Sequence, residues 1–327
     1  MAGISSRIGT IAVAVQTGKG AAAANPTVKF ELAAAPSVMP VKEIGRYSTT
    51  DAGRDQGPAY VSRFGVAGDF QVYAHPQGIG TLFRAALGAN ANSGAGPNYT
   101  HTITPADDLP YLTIWRMVGN VIFERFVDCK VGSLRLSGSA GSPLTLSLSV
   151  EGIRSTFEAA DTALAALLNE TDAGYLYPEA AGAILIDGAA QPLSSIEFEV
   201  NNNVSSYQAD DYFPQDIDPG AREVTLSFST RFTGATAFPD YRTFYYGSAA
   251  GTTQSTVITP RTFAVTFTRN ANTSLKIDLP RITYAAIPVN PDPGGDPLEV
   301  EVSTSVEKPS GATPIVTVTV KDQNATV

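Results

Sequence analysis

Cysteine, histidine and positive charge are all scarce in this sequence, and each scarcity removes a class of function. Cys129 is the only cysteine, which excludes an internal disulfide and any multi-cysteine metal site. It reads as a small buried hydrophobe. His75 and His101 are the only histidines, and neither has a second ligand at metal spacing nearby. His75, before Pro76, reads as part of a strand-to-helix turn and His101 as part of a strand surface. Lysine and arginine number 22 against 31 acidic residues, a formal charge of −9, so nucleic-acid binding by phosphate neutralisation is disfavoured. Long apolar runs are missing at the N-terminus too. Gln16, Thr17 and Lys19 break the first one well short of a membrane span, and it reads as a strand (Ile8 to Val15) and a loop at a mature intracellular start rather than as a leader.

The inventory of catalytic groups is equally thin. Asp107-Asp108 and Asp210-Asp211 are paired acids, but neither pair has the spaced oxygen ligands and tight glycine turn of a calcium loop, and both read as solvated loop. Gly78-Ile-Gly80 is the nearest approach to a phosphate-binding glycine cluster. It lacks the spacing and the lysine, and reads instead as a helix start held tightly against a sheet. No serine sits in a nucleophile elbow. No catalytic, cofactor-binding or metal-binding residue is therefore assigned.

What is abundant is two-residue alternation. In Lys130 to Gly152, Leu134, Leu136, Leu144, Leu146, Leu148 and Val150 fall on one face, with Ser133, Arg135, Ser137, Thr145, Ser147, Ser149 and Glu151 on the other. Gly138, Gly141 and Pro143 supply the turn. A second such hairpin runs from Arg281 to Tyr284, through a turn with Pro291, Pro293, Gly294, Gly295 and Pro297, to Leu298–Val306, with Glu299, Glu301, Ser303 and Ser305 on its wet face. The 327 residues, 43% apolar and 16% charged, suffice for two folded β-rich domains.

The order of elements supports the duplication. In the first half, strands are expected at Val28–Leu32, Val38–Ile44 and Tyr60–Tyr73. The exposed Gly- and Asp-rich segment Arg46 to Tyr60 divides the last two. A helix over Gly78–Leu87 stops at Gly88. Then follow a small-residue loop (Ala89 to Asn98), a strand at Tyr99–Thr104, a hairpin of Leu112–Val118 with Val121–Phe126, and the long hairpin. Ala159 to Leu168 reads as a linking helix. The second half repeats the order. Strands Ile184–Ile186 and Ile196–Val200 precede an acidic loop, Ser205 to Gly220. Strand Arg222–Phe232 leads to an aromatic helix, Phe238–Tyr246, and then come strands at Val257–Thr259, Phe263–Thr268 and Leu275–Leu279, the second hairpin and Ile315–Val320.

These stretches resemble the major tail tube proteins of long-tailed (siphovirus-type) bacteriophages. The resemblance is carried by IAVAVQTGKGAAAANPTVKF, VAGDFQVYAHPQGIGTLFRAALGA, YTHTITPADDLPYLTI, VDCKVGSLRLSGSAGSPLTLSLSVEG, EFEVNNNVSSYQADDYFPQDIDPGAREVTLSFSTRF and KIDLPRITYAA, in that order along nearly the whole chain. It implies a mainly β fold of two tandem tail-tube-type β-barrel or sandwich domains, each with a short flanking α-helix and a long hairpin. The boundaries expected are 1–158 for the first domain, 159–180 for a connector and 181–327 for the second.

The resemblance further implies a virion structural protein, made in the host cytoplasm and placed in the virion tail, without catalysis, cofactor or membrane. Its partners would be other copies of itself, tape-measure protein, and tail-terminator or tail-tip proteins. Short-chain relatives make six-membered rings, so a doubled chain would give a near-sixfold ring from a trimer. DNA would pass through the stacked rings without specific binding, because a wall of hydroxyls and carboxylates repels phosphate. Glu151, Glu299, Glu301, Ser147, Ser149 and Ser303 are the lumen-lining candidates, and Arg135 on the same face is expected to pair with a carboxylate. The segments Arg46 to Tyr60 and Ser205 to Gly220, matched in position, are candidates for ring-to-ring contact. The alternative from another class is a surface or secreted β-sandwich binding module, adhesin-like, using Tyr241, Phe244, Tyr245 and Tyr246; their helical spacing favours core packing instead.

Overall fold

The computed structural model describes residues 9–48, 57–96, 98–119, 121–158, 174–178, 184–231, 239–289, 298–325 and 327. The helix expected over Ala159 to Leu168 lies outside them, as do parts of the loop after Arg46 and of the second hairpin's turn.

The first half contains β1 (Gly9–Val15), β2 (Val28–Phe30), β3 (Met39–Arg46), β4 (Ala59–Tyr73), helix α1 (Pro76–Leu87), β5 (Gly88–Ala95), β6 (Asn98–Pro105), β7 (Leu112–Val118), β8 (Ile122–Ser139), β9 (Thr145–Gly152) and β10 (Arg154–Phe157). The second contains β11 (Ile184–Ile186), β12 (Ala189–Gln191), β13 (Ser195–Asn201), β14 (Ser205–Tyr207), β15 (Asp216–Asp218), β16 (Glu223–Arg231), helix α2 (Pro239–Tyr246), β17 (Arg261–Asn270), β18 (Thr273–Ala286), β19 (Glu299–Val306) and β20 (Thr317–Asp322). The class is mainly β, and no closed barrel forms among the described residues.

Antiparallel pairing follows one order twice. β2 pairs β1, β1 pairs β7, β7 pairs β8, β8 pairs β9, β9 pairs β4 and β4 pairs β3. The same chain of partners recurs as β12, β11, β17, β18, β19, β16 and β13. Irregularities recur with it. The β7–β8 register shifts between Leu112 and Ile114, and the β17–β18 register between Arg261 and Phe263. The long hairpins shift between Val131 and Ser133, and between Tyr284 and Ala286. A bulge re-aims a strand and changes its partners, and that is its effect here. The first part of β8 pairs β7 and β10, the second part β9 and β13.

Two junctions join the sets. The outer edge of β8 pairs β13, Leu134 opposite Val200 and Leu136 opposite Phe198. β20 lies between β18 and β6. Asn202 seals the first junction. Fully buried, it donates from Nδ2 to the carbonyls of Ala86 (2.9 Å) and Val131 (3.1 Å).

One face of the long hairpin sheet forms the core. Leu134, Leu136, Leu146, Leu148, Phe70, Phe198, Phe228 and Val302 are all essentially inaccessible, and each such side chain stabilises the fold by about 1.5–3 kcal/mol on burial. α1 covers this face with Ile79, Leu82, Phe83, Ala86 and Leu87, the apolar stripe of its 3.6-residue repeat. Gly78 sits at φ +112°, where an added Cβ would lie 2.2 Å from Val28 Cγ1, so the helix start packs tightly against the sheet. Gly88, at φ +106°, ends the helix by donating its N–H to the Arg84 carbonyl.

Several expectations need correction. Ala89 to Asn98 is no loop: Gly88–Ala95 is a strand paired along its length with β6. Val121–Phe126 is no separate strand but the start of one that runs on into the long hairpin. The acidic loop Ser205 to Gly220 contains the small hairpin β14–β15. Val257–Thr259 forms no strand, and Val257 and Ile258 stand exposed. His101 is buried rather than on a strand surface, with Nε2 3.0 Å from Asp322 Oδ1 and 2.9 Å from the Asn324 carbonyl.

Candidate functional site: the polar face of the long sheet

Since side chains alternate along a strand, burying one face of the hairpins commits the other to polar residues. β9 and β19 show this most clearly, every second residue being buried. Pairing then carries the polar face across the sheet from β3 through β4, β9, β8, β13, β16 and β19 to the last residues of β18.

Five of the six candidates lie on this face in register. Ser149 is opposite Asp69 on β4 and Ser133 on β8, and Ser147 opposite Gln71 and Arg135. Across the junction, Ser303 is opposite Ser227, Glu301 opposite Ser229, and Glu299 opposite Arg231. The hydroxyls bond to one another: Ser133 Oγ to Ser149 Oγ at 3.0 Å, and Ser137 Oγ to Thr145 Oγ1 at 3.1 Å. Ser194 Oγ donates to Glu299 Oε1 at 3.2 Å. Glu151, at the end of the row opposite Ala67 and Lys130, differs. It is half-buried, and burial pushes its carboxyl above the usual range while nearby Arg63 pulls the other way. Residues that sequence reasoning left out of the face are Asp69 on β4 and Glu197 and Glu199 on β13. The Ile-Glu-Phe-Glu-Val alternation at Ile196–Val200 was the signal for the latter two.

Arg135 pairs with Glu197 at 2.5 Å across the β8–β13 junction. With both side chains about half exposed, solvent screens this pair and it contributes under ~1 kcal/mol. Its effect on the face is to leave carboxylates in excess. Near the hairpin tip a shallow depression of about 370 Å³, lined by Ser137, Ser139, Thr145, Glu197, Ser229 and Glu301 among others, is hydroxyl- and carboxylate-rich.

Other groups singled out in the sequence are accounted for locally. Cys129 is fully buried and burial pushes its thiol up, away from reactivity. His75 precedes the first turn of α1. Asp108 accepts from Lys130 Nζ at 3.2 Å. Asp210 accepts from Gln215, and Asp211 Oδ1 from the Phe213 N–H. Tyr241, Phe244 and Tyr245 pack against the core. Among the described residues no cluster of three or more His, Cys, Asp or Glu side chains could hold a metal ion, and no helix is long and apolar enough to cross a membrane.

The outer edges of this sheet are bare at both ends. Beyond β3, and beyond the last residues of β18, no strand among the described residues is paired. No protein of curated function matches the chain. A family model described as phage tail tube protein matches residues 6–307, nearly its whole length.

Proposed function

Because the chain belongs to the phage tail tube protein family, a structural component of the virion tail, we propose that it is the repeating subunit of the tube and that its copies close into rings, stack, and form the conduit for DNA ejection. The observation that carries this reading is the sheet with two bare ends. Its strands run in the order β3, β4, β9, β8, β13, β16, β19, β18, so a four-strand unit occurs twice with an internal junction between the copies. An open edge is a template for another strand. Copies joined edge to edge extend the sheet until it closes, with the polar face turned inward.

On this reading residues 1–158 and 181–327 are duplicated domains joined by 159–180, and three chains close a near-sixfold ring. The lumen is lined by Glu299, Glu301, Ser147, Ser149 and Ser303, with Glu151 at its end. Excess carboxylate on such a wall keeps the DNA polyanion from adhering. Tape-measure protein fills the tube before ejection and tail-terminator or tail-tip proteins cap it. The segments Arg46–Tyr60 and Ser205–Gly220 make the ring-to-ring contacts. Catalysis, cofactor and membrane have no part in it, and assembly follows synthesis in the host cytoplasm.

Negative-stain electron microscopy of the purified chain at rising concentration tests this. Hollow rings or tubes with three strong and three weak lobes in end-on averages are expected. Uniform six-lobed rings of six chains would refute the trimer alone. Monomers under all conditions, seeding with native tails included, would refute the function.

A further inference from the structure

The internal junction between the two sets of strands is a template for what the unoccupied faces lack. Superposing the registers makes Phe157 on β10 the counterpart of Val318 on β20. Phe157 pairs with Glu124 on β8 and Val318 with Ile277 on β18, and the matched bulges align Glu124 with Ile277. Their surroundings differ. Val318 is fully buried, paired with Ile103 on β6. Phe157 is 71% exposed.

The partner of Val318 has a counterpart too. Ile103-Thr104-Pro105 lies between α1 and β7, and Ile258-Thr259-Pro260 between α2 and β17. Ile103 is fully buried; Ile258 is 71% and Val257 60% exposed. Two large apolar side chains are thus left in water at the two positions whose counterparts pair with each other. The segment around Ile258 carries the apolar pattern of a strand yet forms none within one chain.

A cleft beside that segment fits the same scheme. It measures about 520 Å³ and is lined by Phe244, Tyr245, Ile258, Arg261 and Tyr284 among others. By register, Tyr245 corresponds to Ala86 and Tyr284 to Val131, the two residues whose carbonyls hold Asn202 at the internal junction. The counterpart of Asn202 on the first set is Lys42, exposed on the bare strand β3 and opposite Phe64. An ammonium group can lie against the Phe244, Tyr245 and Tyr284 rings of this cleft, whose Arg261 is already paired with Asp187.

The geometry points to a second copy of this chain as the occupant, held by strand pairing between β10 and residues 255–259 with Phe157 opposite Ile258, and by Lys42 entering the Tyr245–Tyr284 cleft. This contact rests on the ring reading, adds an outer seam to the edge pairing of β3 with β18, and is heterologous: the first set of strands offers β3 and β10, the second offers the end of β18, the cleft and the segment around Ile258. Such a contact propagates head to tail until it closes.

The test mixes equal amounts of Phe157→Cys and Ile258→Cys under tube-forming conditions with mild oxidant, read on non-reducing gels. Cross-strand neighbours lie within disulfide reach, and fully buried Cys129 does not compete. The expected result is a disulfide between chains in the mixture and none with either variant alone. Tubes that form without the cross-link would overturn this contact and leave the tube function standing. Failure of the wild-type chain to form rings or tubes at all would overturn the function, and the contact with it.

A second measurement is independent of oxidation. Phe157→Asp and Ile258→Asp are each expected to raise the concentration needed for assembly at least ~10-fold, since each puts a charge into an apolar contact, with thermal unfolding of the lone subunit unchanged. An unchanged assembly concentration would overturn the contact.

Discussion

Replacing Asn202 by alanine tests how the two sets of strands are held together. Asn202 is 1% exposed. Its Nδ2 donates to the Ala86 and Val131 carbonyls at 2.9 and 3.1 Å, and its Oδ1 accepts from Arg222 Nε at 3.2 Å. Arg222 is itself half-buried; burial presses its guanidinium downward from the ordinary range, with Asp107 opposing, and its Nη2 donates to the Ala106 carbonyl. Alanine removes all three side-chain bonds and leaves the Ala86 and Val131 carbonyls without a partner and away from solvent. A buried polar group without a partner costs about 1–3 kcal/mol, and partial rescue by water brings the expected loss to about 2–4 kcal/mol. Urea unfolding followed by circular dichroism reads this as a lower midpoint at unchanged slope. Arg222→Ala combined with Asn202→Ala is expected to cost less than the sum of the single changes, because they share a bond. A loss below ~0.5 kcal/mol for Asn202→Ala would refute the claim that this side chain seals the junction.

Gly78→Ala is expected to cost about 2–3 kcal/mol in thermal unfolding, because the new Cβ meets Val28 Cγ1 at 2.2 Å on a backbone at φ +112°. Arg135→Gln is expected to change stability by less than ~1 kcal/mol and to leave tube formation seen by electron microscopy intact, since its pair with Glu197 is screened. Glu307 and Asp187 give a pH test. Bonds from Arg281 and then Thr283 hold the Glu307 carboxyl below its usual range. At Asp187 burial pushes upward but is outweighed by the Thr262 N–H and by Arg261. A carboxyl whose folded value is depressed adds stability above its unfolded value and loses it as pH falls through the folded one. Glu307→Gln and Asp187→Asn should therefore destabilise the chain near pH ~7 and cost almost nothing near pH ~2, measured by urea midpoints across that range.

How legible the fold was depended on what each segment buries. β9 and β19 were readable residue by residue, because a strand with one dry face writes its register into the sequence. α1 was readable from its stripe and its terminal glycine. β5 was not: Gly-Ala-Asn-Ala-Asn-Ser-Gly-Ala has no apolar alternation, and it is a strand only because β6 supplies a partner. The burial of His101 was illegible because its partner Asp322 lies 221 residues further on. The polar face was half legible. Serines and glutamates on the hairpins announced it, but the contribution of β4 and β13 depends on pairings that local pattern does not encode. Residues 257–259 were misread for a physical reason: an apolar extended segment becomes a strand only when another backbone is beside it.

The place of β20 sets the order in which this molecule is made. Its residues 317–322 separate β18 from β6, and Asp322 is the buried partner of His101. A ribosome adds roughly 5–20 residues per second, so β6 waits on the order of ten seconds or more with an open edge, and His101 with Nε2 unpaired while its Nδ1 meets Asn92 Oδ1 on β5, before its neighbour is synthesised. The first half cannot reach its final packing during translation, and the last pairing to form is also among the most distant in sequence, which slows folding. Chains cut short before residue 317 would keep two sticky edges, on β6 and β18, and would be substrates for chaperones or aggregation rather than for assembly.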